Sequence, residues 1–382
     1  MKAFQGIFPT VVLLLSIAAT LKGQKTDING QLAGWITGSN SDRTYLQAGV
    51  RFVPQVTFSY PVLKKYKIDG EFSADGYSNY TLQSDSGGVY DGKLRIYRAW
   101  VRFSANRFEL RAGLQKINFG SASILRPLMW FDRVDPRDPL KLTSGVTGLQ
   151  ARYYFRNNAN IWGWLLAGNK NTKGWETIPS DAYRPEFGGR VQLPFPRGEL
   201  AFSYHNREAR YPDGSSALSS GKGYFNENRF GFDTKADLGI GLWLEGTITH
   251  RNDLYNPSDN YEKALTLGAD YNIGIGQGLD VMFENMFVNV SGSFSGKGNS
   301  LTMSGLSLTL PVSIITRANV IVFYDWKDKG WYNFADVSFT FNKISINLIA
   351  FDNPRSFSLL NFSAGQNLFA GYGGQVMLVY NF

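Results

Sequence analysis

Cysteine is absent from the 382 residues, and histidine occurs only twice. The first absence excludes disulfide staples, thiolate metal sites and lipidation at a processed cysteine, so the redox compartment must be read from other features. The second leaves His205 and His250 as the whole supply of imidazole for acid–base chemistry or metal binding. Long apolar runs are missing as well. Beyond the N-terminal stretch, no segment approaches the roughly 18 consecutive apolar residues of a membrane-spanning helix. The segment "NIGIGQG" (272–278) lacks the G-x-G-x-x-G spacing of a dinucleotide loop and has no helical pattern after it, so it reads as a turn.

What the chain does contain is glycine and aromatic residues: 41 Gly, 20 Tyr, 28 Phe and 9 Trp. It opens with "MKAFQGIFPTVVLLLSIAATLKGQ", where Lys2 precedes an apolar run from Val11 to Ala19 and small residues follow. That is the layout of a secretory signal over 1–23, with cleavage expected after Gly23. Its apolar run is too short for the roughly 20 residues a spanning helix needs. The mature chain, 24–382, has 382 − 23 = 359 residues. No Ser/Pro linker or shift of composition divides it, so one domain is expected. An exported chain of this composition is either a secreted β-protein or a membrane barrel.

Alternation decides most of the rest. In "TYLQAGVRFVPQVTFSY", Leu46, Ala48, Val50, Phe52, Val56, Phe58 and Tyr60 share one face, while Tyr45, Gln47, Gly49, Arg51, Gln55 and Thr57 share the other. The same period of two recurs in "LQARYYF", "FGGRVQL", "LWLEGTITH" and "ISINLIAF". A soluble sandwich would bury the apolar face and wet the polar one. The links argue for the opposite arrangement. Short links near 61–65, 104–106, 156–159, 194–198, 237–240, 273–278, 311–316 and 342–343 alternate with long ones near 76–92, 120–145, 169–183, 208–223, 252–261, 290–299 and 353–370. Smaller links near 38–43 and 326–331 complete the second class. Turns at one end and loops at the other predict an all-β chain: a single transmembrane antiparallel β-barrel over 24–382. About 18 strands are predicted, with 16 as the alternative if Gly-rich stretches slip register. Aromatics such as Tyr60, Trp100, Phe103, Tyr153, Phe155 and Phe341 are expected to form interfacial girdles.

The chain ends "QVMLVYNF", with Val376, Leu378, Tyr380 and Phe382 alternating to a terminal phenylalanine. This resembles the C-terminal signature of Gram-negative outer-membrane barrels. The resemblance implies that Tyr380 and Phe382 are read by the barrel-insertion machinery. The segment "LRAGLQKINFGSASILRPLMWFDRVDPRDPL" is similar to the R-x-G-x-Q…G…D-P-R-D-P region of porin-like barrel families. Together these imply an integral protein of the outer membrane, in contact with its lipid.

Charge is concentrated. Residues 93–156 hold 13 basic and 4 acidic side chains, 13 − 4 = +9, whereas the whole chain is +8 and the mature chain, without Lys2 and Lys22, is 8 − 2 = +6. Everything else therefore sums to 6 − 9 = −3. An arginine facing lipid near the midplane costs about 2–4 kcal/mol, so lumen placement is expected. The expected pore lining is Arg98, Arg102, Arg107, Glu109, Arg111, Gln115, Gln150, Arg152, Arg156 and Arg190. Lys93 and Arg95 break the parity and are expected above the membrane rim. Glu245, Asp270, Glu284 and Asp336 have lumen parity on the other side and predict a transverse field.

The longest irregular stretch, "LRPLMWFDRVDPRDPL", carries too many prolines for a helix or strand. It is expected to fold inward and narrow the lumen over about 120–145. Arg126, Arg133 and Arg137 would meet permeating anions there, Trp130 would anchor the loop to the wall, and Asp132, Asp135 and Asp138 would latch it to the basic wall. Three nearby aspartates also suit calcium as oxygen ligands, but their Pro-spaced pattern is not an EF-hand, and no metal or cofactor is assigned. Nucleic acid is not expected despite a pI near 9.4, because the cations alternate with apolar side chains. His205 beside Ser203 does not by itself make a hydrolase site. The expected function is a passive channel for small hydrophilic, preferentially anionic solutes. The alternative is a non-conducting barrel serving as a surface receptor or a component of a secretion or assembly complex.

Overall fold

The computed structural model describes residues 25–63, 65–84, 87–212, 215, 221, 223–252, 255–355 and 369–382. The expected signal at 1–23 lies outside them. The strands are β1 (Lys25–Asn40), β2 (Thr44–Leu63), β3 (Tyr66–Gln83), β4 (Gly87–Ser104), β5 (Phe108–Gln115), β6 (Val146–Tyr154), β7 (Asn160–Leu166), β8 (Glu186–Phe195) and β9 (Gly198–Arg210). The second half comprises β10 (Tyr224–Asp237), β11 (Gly241–Asn252), β12 (Tyr261–Ile273), β13 (Leu279–Ser291), β14 (Asn299–Pro311), β15 (Thr316–Asp325), β16 (Gly330–Thr340), β17 (Ile344–Asn353) and β18 (Gly371–Asn381). Each strand pairs antiparallel with its neighbours in sequence, and β1 pairs with β18, so 18 strands close one barrel. At the seam Phe382 donates its N–H to Gly30 O (3.1 Å) and stacks on Phe52 at 5.8 Å between ring centroids.

Outside, the barrel is apolar. Leu46, Val50, Phe72, Leu110, Leu149, Leu165, Val191, Phe202, Leu242, Leu267, Phe283, Leu348 and Val376 are all exposed, at alternate positions of their strands. That is the surface a hydrocarbon layer requires, with the backbone satisfied by closure. Girdle contacts appear at the turn end, where Tyr66 stacks on Phe103 and Tyr153 meets Phe155 edge-on.

Three expectations are corrected. The 76–92 region is not a long loop: β3 runs on to Gln83 and β4 starts at Gly87, paired as a hairpin, because the outward alternation of Tyr80 and Leu82 on β3 and of Tyr90 and Leu94 on β4 runs on. Arg95 does not lie clear of the wall, and its broken parity has a local cause. The β3–β4 register shifts between Ser73 and Ala74, so Arg98 opposes Ser73 and Ile96 opposes Ala74, with Tyr97 as the extra residue. Arg95 then shares the buried Asp75 (2.8 Å) with Arg51 (3.1 Å). Trp100 belongs to no girdle, because it faces inward and its indole N–H donates to Glu71 (3.1 Å).

The interior is also less uniformly polar than the alternation suggested. Ile321, Phe323, Phe334, Ile349 and Phe351 of β15–β17 point inward and pack with Met286 and Met303. Both faces of these strands are apolar because the inner one meets a loop rather than water.

The outward assignment has a direct test. Leu348→Arg should lower folding stability in lipid vesicles by about 2–4 kcal/mol, measured by equilibrium refolding. An unchanged stability would mean that this face of β17 does not meet lipid.

Candidate functional site

The connection 116–145 between β5 and β6 lies inside the barrel, and its backbone explains why. Glu284 of β13 accepts the consecutive N–H groups of Ser123 (2.6 Å), Ile124 (3.0 Å) and Leu125 (2.5 Å), and also the Trp243 indole N–H (3.1 Å). Glu245 of β11 accepts the N–H groups of Ala122 (2.8 Å) and Leu128 (2.7 Å). Successive N–H groups wrapped on one oxyanion form a nest, and such bonds are the strong, charge-assisted kind. Gly120 makes the approach possible: its φ is +104°, and a Cβ there would collide with the Glu245 carboxylate. Strand β13 is eight strands round an 18-stranded ring from β5, so the loop reaches nearly the opposite wall.

Side chains complete the anchorage. Leu125 and Ile124 enter the inward apolar patch of β13–β17. Trp130 and Phe131 pack with Phe119 and Trp164, and Leu140 packs against the buried cluster of Ala33 of β1 with Met377 and Val379 of β18. On the return, Arg98 donates to Thr143 O (3.0 Å) and Thr143 Oγ1 (2.6 Å). A second connection, 167–185, sits against the first: Trp175 donates to Arg126 O (2.8 Å) and Arg133 to Gly174 O (3.0 Å). Gly174 has φ +44°, and a Cβ there would strike Met129 O.

Behind that second loop lies a balanced ion network, buried except at its Arg251–Glu262 end. Lys173 meets Glu176 (3.3 Å) and Glu186 (3.0 Å), and Arg207 meets Glu176 (3.2 Å) and Glu227 (2.6 Å). Arg229 meets Glu176 (2.9 Å), and Arg251 joins Glu227 (2.8 Å) to Glu262 (2.6 Å). Four cations face four carboxylates, so the cluster fixes loop position without leaving net charge. Fully buried His205 completes the wall: its Nδ1 accepts from Trp164 (3.2 Å) and its Nε2 faces Glu186 (3.2 Å). The Ser203 hydroxyl accepts from Arg190 instead (3.1 Å), so no Ser–His pair forms. His250 stacks on Tyr261 with centroids 4.4 Å apart.

The expected loop roles change accordingly. The latch is the reverse of the one anticipated: strand carboxylates hold loop N–H groups, while the loop aspartates are engaged locally. Asp132 binds Arg126 (3.5 Å) and Asn118 (2.5 Å), Asp135 binds Arg137 (2.8 Å), and Asp138 accepts from Leu140 (2.9 Å) and Leu142 (3.3 Å). Burial pushes the Asp138 carboxyl above its usual range, against the pull of those two N–H groups. Arg126 and Arg137 are buried, as are Trp130 and Phe131, so none of these four offers an open surface to a solute. Arg133 is half-buried. Glu245 and Glu284 are consumed by the latch and supply no free acidic wall.

The wall residues also separate into classes. Arg107 and Arg156 are exposed in the short turns after β4 and β6, where the chain reverses, and not on the strand wall. Arg102 pairs with Asp69 (2.8 Å) and Glu109 (3.6 Å), and Arg190 is buried on Asp233 (2.9 Å). Gln115 donates to Gly148 O (3.1 Å), and Gln150 is buried. Arg111 and Arg152 differ from all of these: among the described residues neither makes an ion pair. Arg111 lies 4.5 Å from the Trp100 ring centroid and Arg152 3.7 Å from that of Trp162. Register links them in a staircase, Arg102 opposite Arg111, Glu109 opposite Arg152, Arg152 opposite Trp162, and Trp162 opposite Arg190. The two indoles were missed in the sequence, although their inward parity was readable there.

No protein-family model and no curated protein matches the chain. Solved structures share its fold. OccAB1 of Acinetobacter baumannii is 10% identical with a TM-score of 0.57, over 95% of this chain and 96% of that one. OccK7 (OpdD) of Pseudomonas aeruginosa is 10% identical with a TM-score of 0.56, over 95% and 99%. OmpT, an outer membrane protein of Vibrio cholerae in its trimer form, is 11% identical with a TM-score of 0.52, over 94% and 99%. The chain has the porin-like fold of outer-membrane β-barrels.

The latch yields a measurable expectation. Glu284→Gln keeps the shape but removes the charge, costing about 1–3 kcal/mol in the loop's anchorage. Hydrogen exchange at Ser123–Leu125 should quicken while the strands stay protected. Unchanged exchange there would show that Glu284 does not hold the loop.

Proposed function

We propose that the protein is exported by the signal at 1–23, inserted in the outer membrane through the Tyr380/Phe382 terminus, and acts as a passive channel for small hydrophilic, preferentially anionic solutes. The reading contains no catalytic step. The carrying observation is a pair of cations, Arg111 and Arg152, that have no carboxylate partner among the described residues and lie beside indoles on the wall. A guanidinium held flat on a ring keeps edge N–H groups for a passing anion, and the ring does not neutralise it. In this reading the 116–145 loop is the constriction, and of its three arginines Arg133 is the one that is not buried.

One observation favours the second reading, a non-conducting receptor or assembly component. The two inserted loops touch much of the inner wall, including its apolar patch, as they would in a filled barrel.

Planar-bilayer recording under a KCl gradient separates the two. At 4 Å in water a unit charge contributes about 1 kcal/mol, or about fivefold in ion partition. Arg111→Ala/Arg152→Ala should therefore lower the chloride-to-potassium permeability ratio several-fold with the barrel intact. Cation preference in the unsubstituted protein would sink the anion assignment. Absence of conductance from folded protein would favour the receptor reading.

A further inference from the structure

Strand β4 has one open side. Its highest pairing with β5 is Ala99 opposite Leu114, and one residue on, at Gln115, β5 ends and the chain turns into the lumen. β4 itself extends upward to Gly87, paired with β3 along its length. The returning loop covers only the base of this stretch, where the Thr143 N–H donates to the Tyr97 hydroxyl (3.1 Å) and its carbonyl accepts from Arg98 (3.0 Å). Above that, the side of Gly87–Ile96 turned away from β3 has no backbone partner among the described residues. Every residue of the segment is exposed, and no proline interrupts it. At about 3.3 Å per residue the open edge is about 33 Å long. A long edge of this kind is a template for a further strand. Three cations surround it. Lys93 lies on the edge strand, and Lys116 follows the end of β5. Lys170 stands over the top of β6, because its neighbour Asn169 accepts the Thr147 N–H (2.9 Å) and donates to Thr147 O (3.2 Å). All three lysines are exposed, and none makes an ion pair among the described residues. Asp91 is the only carboxylate of the open segment.

We propose that an extended acidic segment of a partner protein adds to β4 along Gly87–Ile96 as an antiparallel strand in line with β5. Its carboxylates meet Lys93, Lys116 and Lys170, and its alternate apolar side chains lie beside exposed Tyr90, Leu94 and Ile96. In strand addition the main-chain bonds supply affinity and the side chains supply specificity. The lysines oppose a basic strand and favour an acidic one. A second copy of this chain fits poorly. Two copies in one membrane share their upward direction, so their β4 edges could meet only as parallel strands, with like charges at the same height. Long loops mark the extracellular end of such barrels, so the partner approaches from outside the cell. That access rests on the outer-membrane placement argued above but not on conduction, so bilayer conductance tests that reading separately.

The experiment is amide hydrogen exchange of the full protein in zwitterionic detergent, titrated with a short synthetic peptide that alternates glutamate with valine. Comparison probes are the same peptide with lysine for glutamate, and the acidic peptide N-methylated at every residue, which can donate no main-chain hydrogen bond. At saturation the acidic peptide should slow exchange within Gly87–Ile96 about tenfold, while both comparison peptides leave it unchanged. Lys93→Ala/Lys116→Ala/Lys170→Ala should weaken binding of the acidic peptide about tenfold, with heat-modifiable gel mobility reporting that the variant is a folded barrel. No protection by the acidic peptide, equal protection by the basic one, or unchanged affinity in the folded triple variant would overturn the proposal. Protection by the N-methylated peptide would also overturn it, because the peptide would then lie on the lysines without joining the strand. Protection that appears without peptide and grows with protein concentration would assign the edge to a second copy instead.

Discussion

In hydrocarbon a backbone N–H has no water to fall back on, and every other feature of this molecule follows from that constraint. An open sheet would leave two rows of unpaired groups in lipid, so β1 must meet β18 along its length, from Gln31 opposite Asn381 to Asn40 opposite Tyr372. Closure then forces the period of two. One set of side chains faces lipid and the other faces an enclosed space wide enough at this strand number to need filling or wetting.

The interior answers that demand in two ways. Where strands carry charge, as in β8–β12, paired ions absorb it and hold the 167–185 loop. Where they carry Ile321, Phe323, Phe334 and Phe351, loop residues Ile124 and Leu125 cover them. The 116–145 loop serves both surfaces, because its backbone N–H groups satisfy Glu245 and Glu284 while its side chains bury the apolar patch. A carboxylate that would be expensive to bury alone becomes the anchor for a segment with no regular structure of its own.

How much of this was readable in the sequence follows from the range of each interaction. Alternation is local, so the strands and most links were legible, down to the inward parity of Arg111 and Arg152. The β3–β4 bulge was not, since one extra residue at Tyr97 shows only as a parity error at Arg95. The latch depended on distant partners. Glu284 was assigned inward, but nothing near it says that its partners are amides about 160 residues away. The loop aspartates were misassigned for the same reason: their short-range partners, Arg126, Arg137 and the local backbone, win over the wall because they cost less chain entropy to reach.

The arginines show why net charge alone is a poor guide to what a lumen offers. Arg98, Arg126, Arg190, Arg207 and Arg229 are buried, and each is bound to carboxylates or to backbone and hydroxyl oxygens. Their charge positions strands and loops. Arg111 and Arg152 are held instead by Trp100 and Trp162, whose ring faces fix the guanidinium plane but carry no formal charge. A carboxylate at either place would orient the arginine equally well and cancel its field. The indoles separate those two effects, so the inward arginines of β4–β6 divide into Arg98 and Arg102, bound to oxygen partners, and a short strip, Arg111 and Arg152, that makes no ion pair among the described residues.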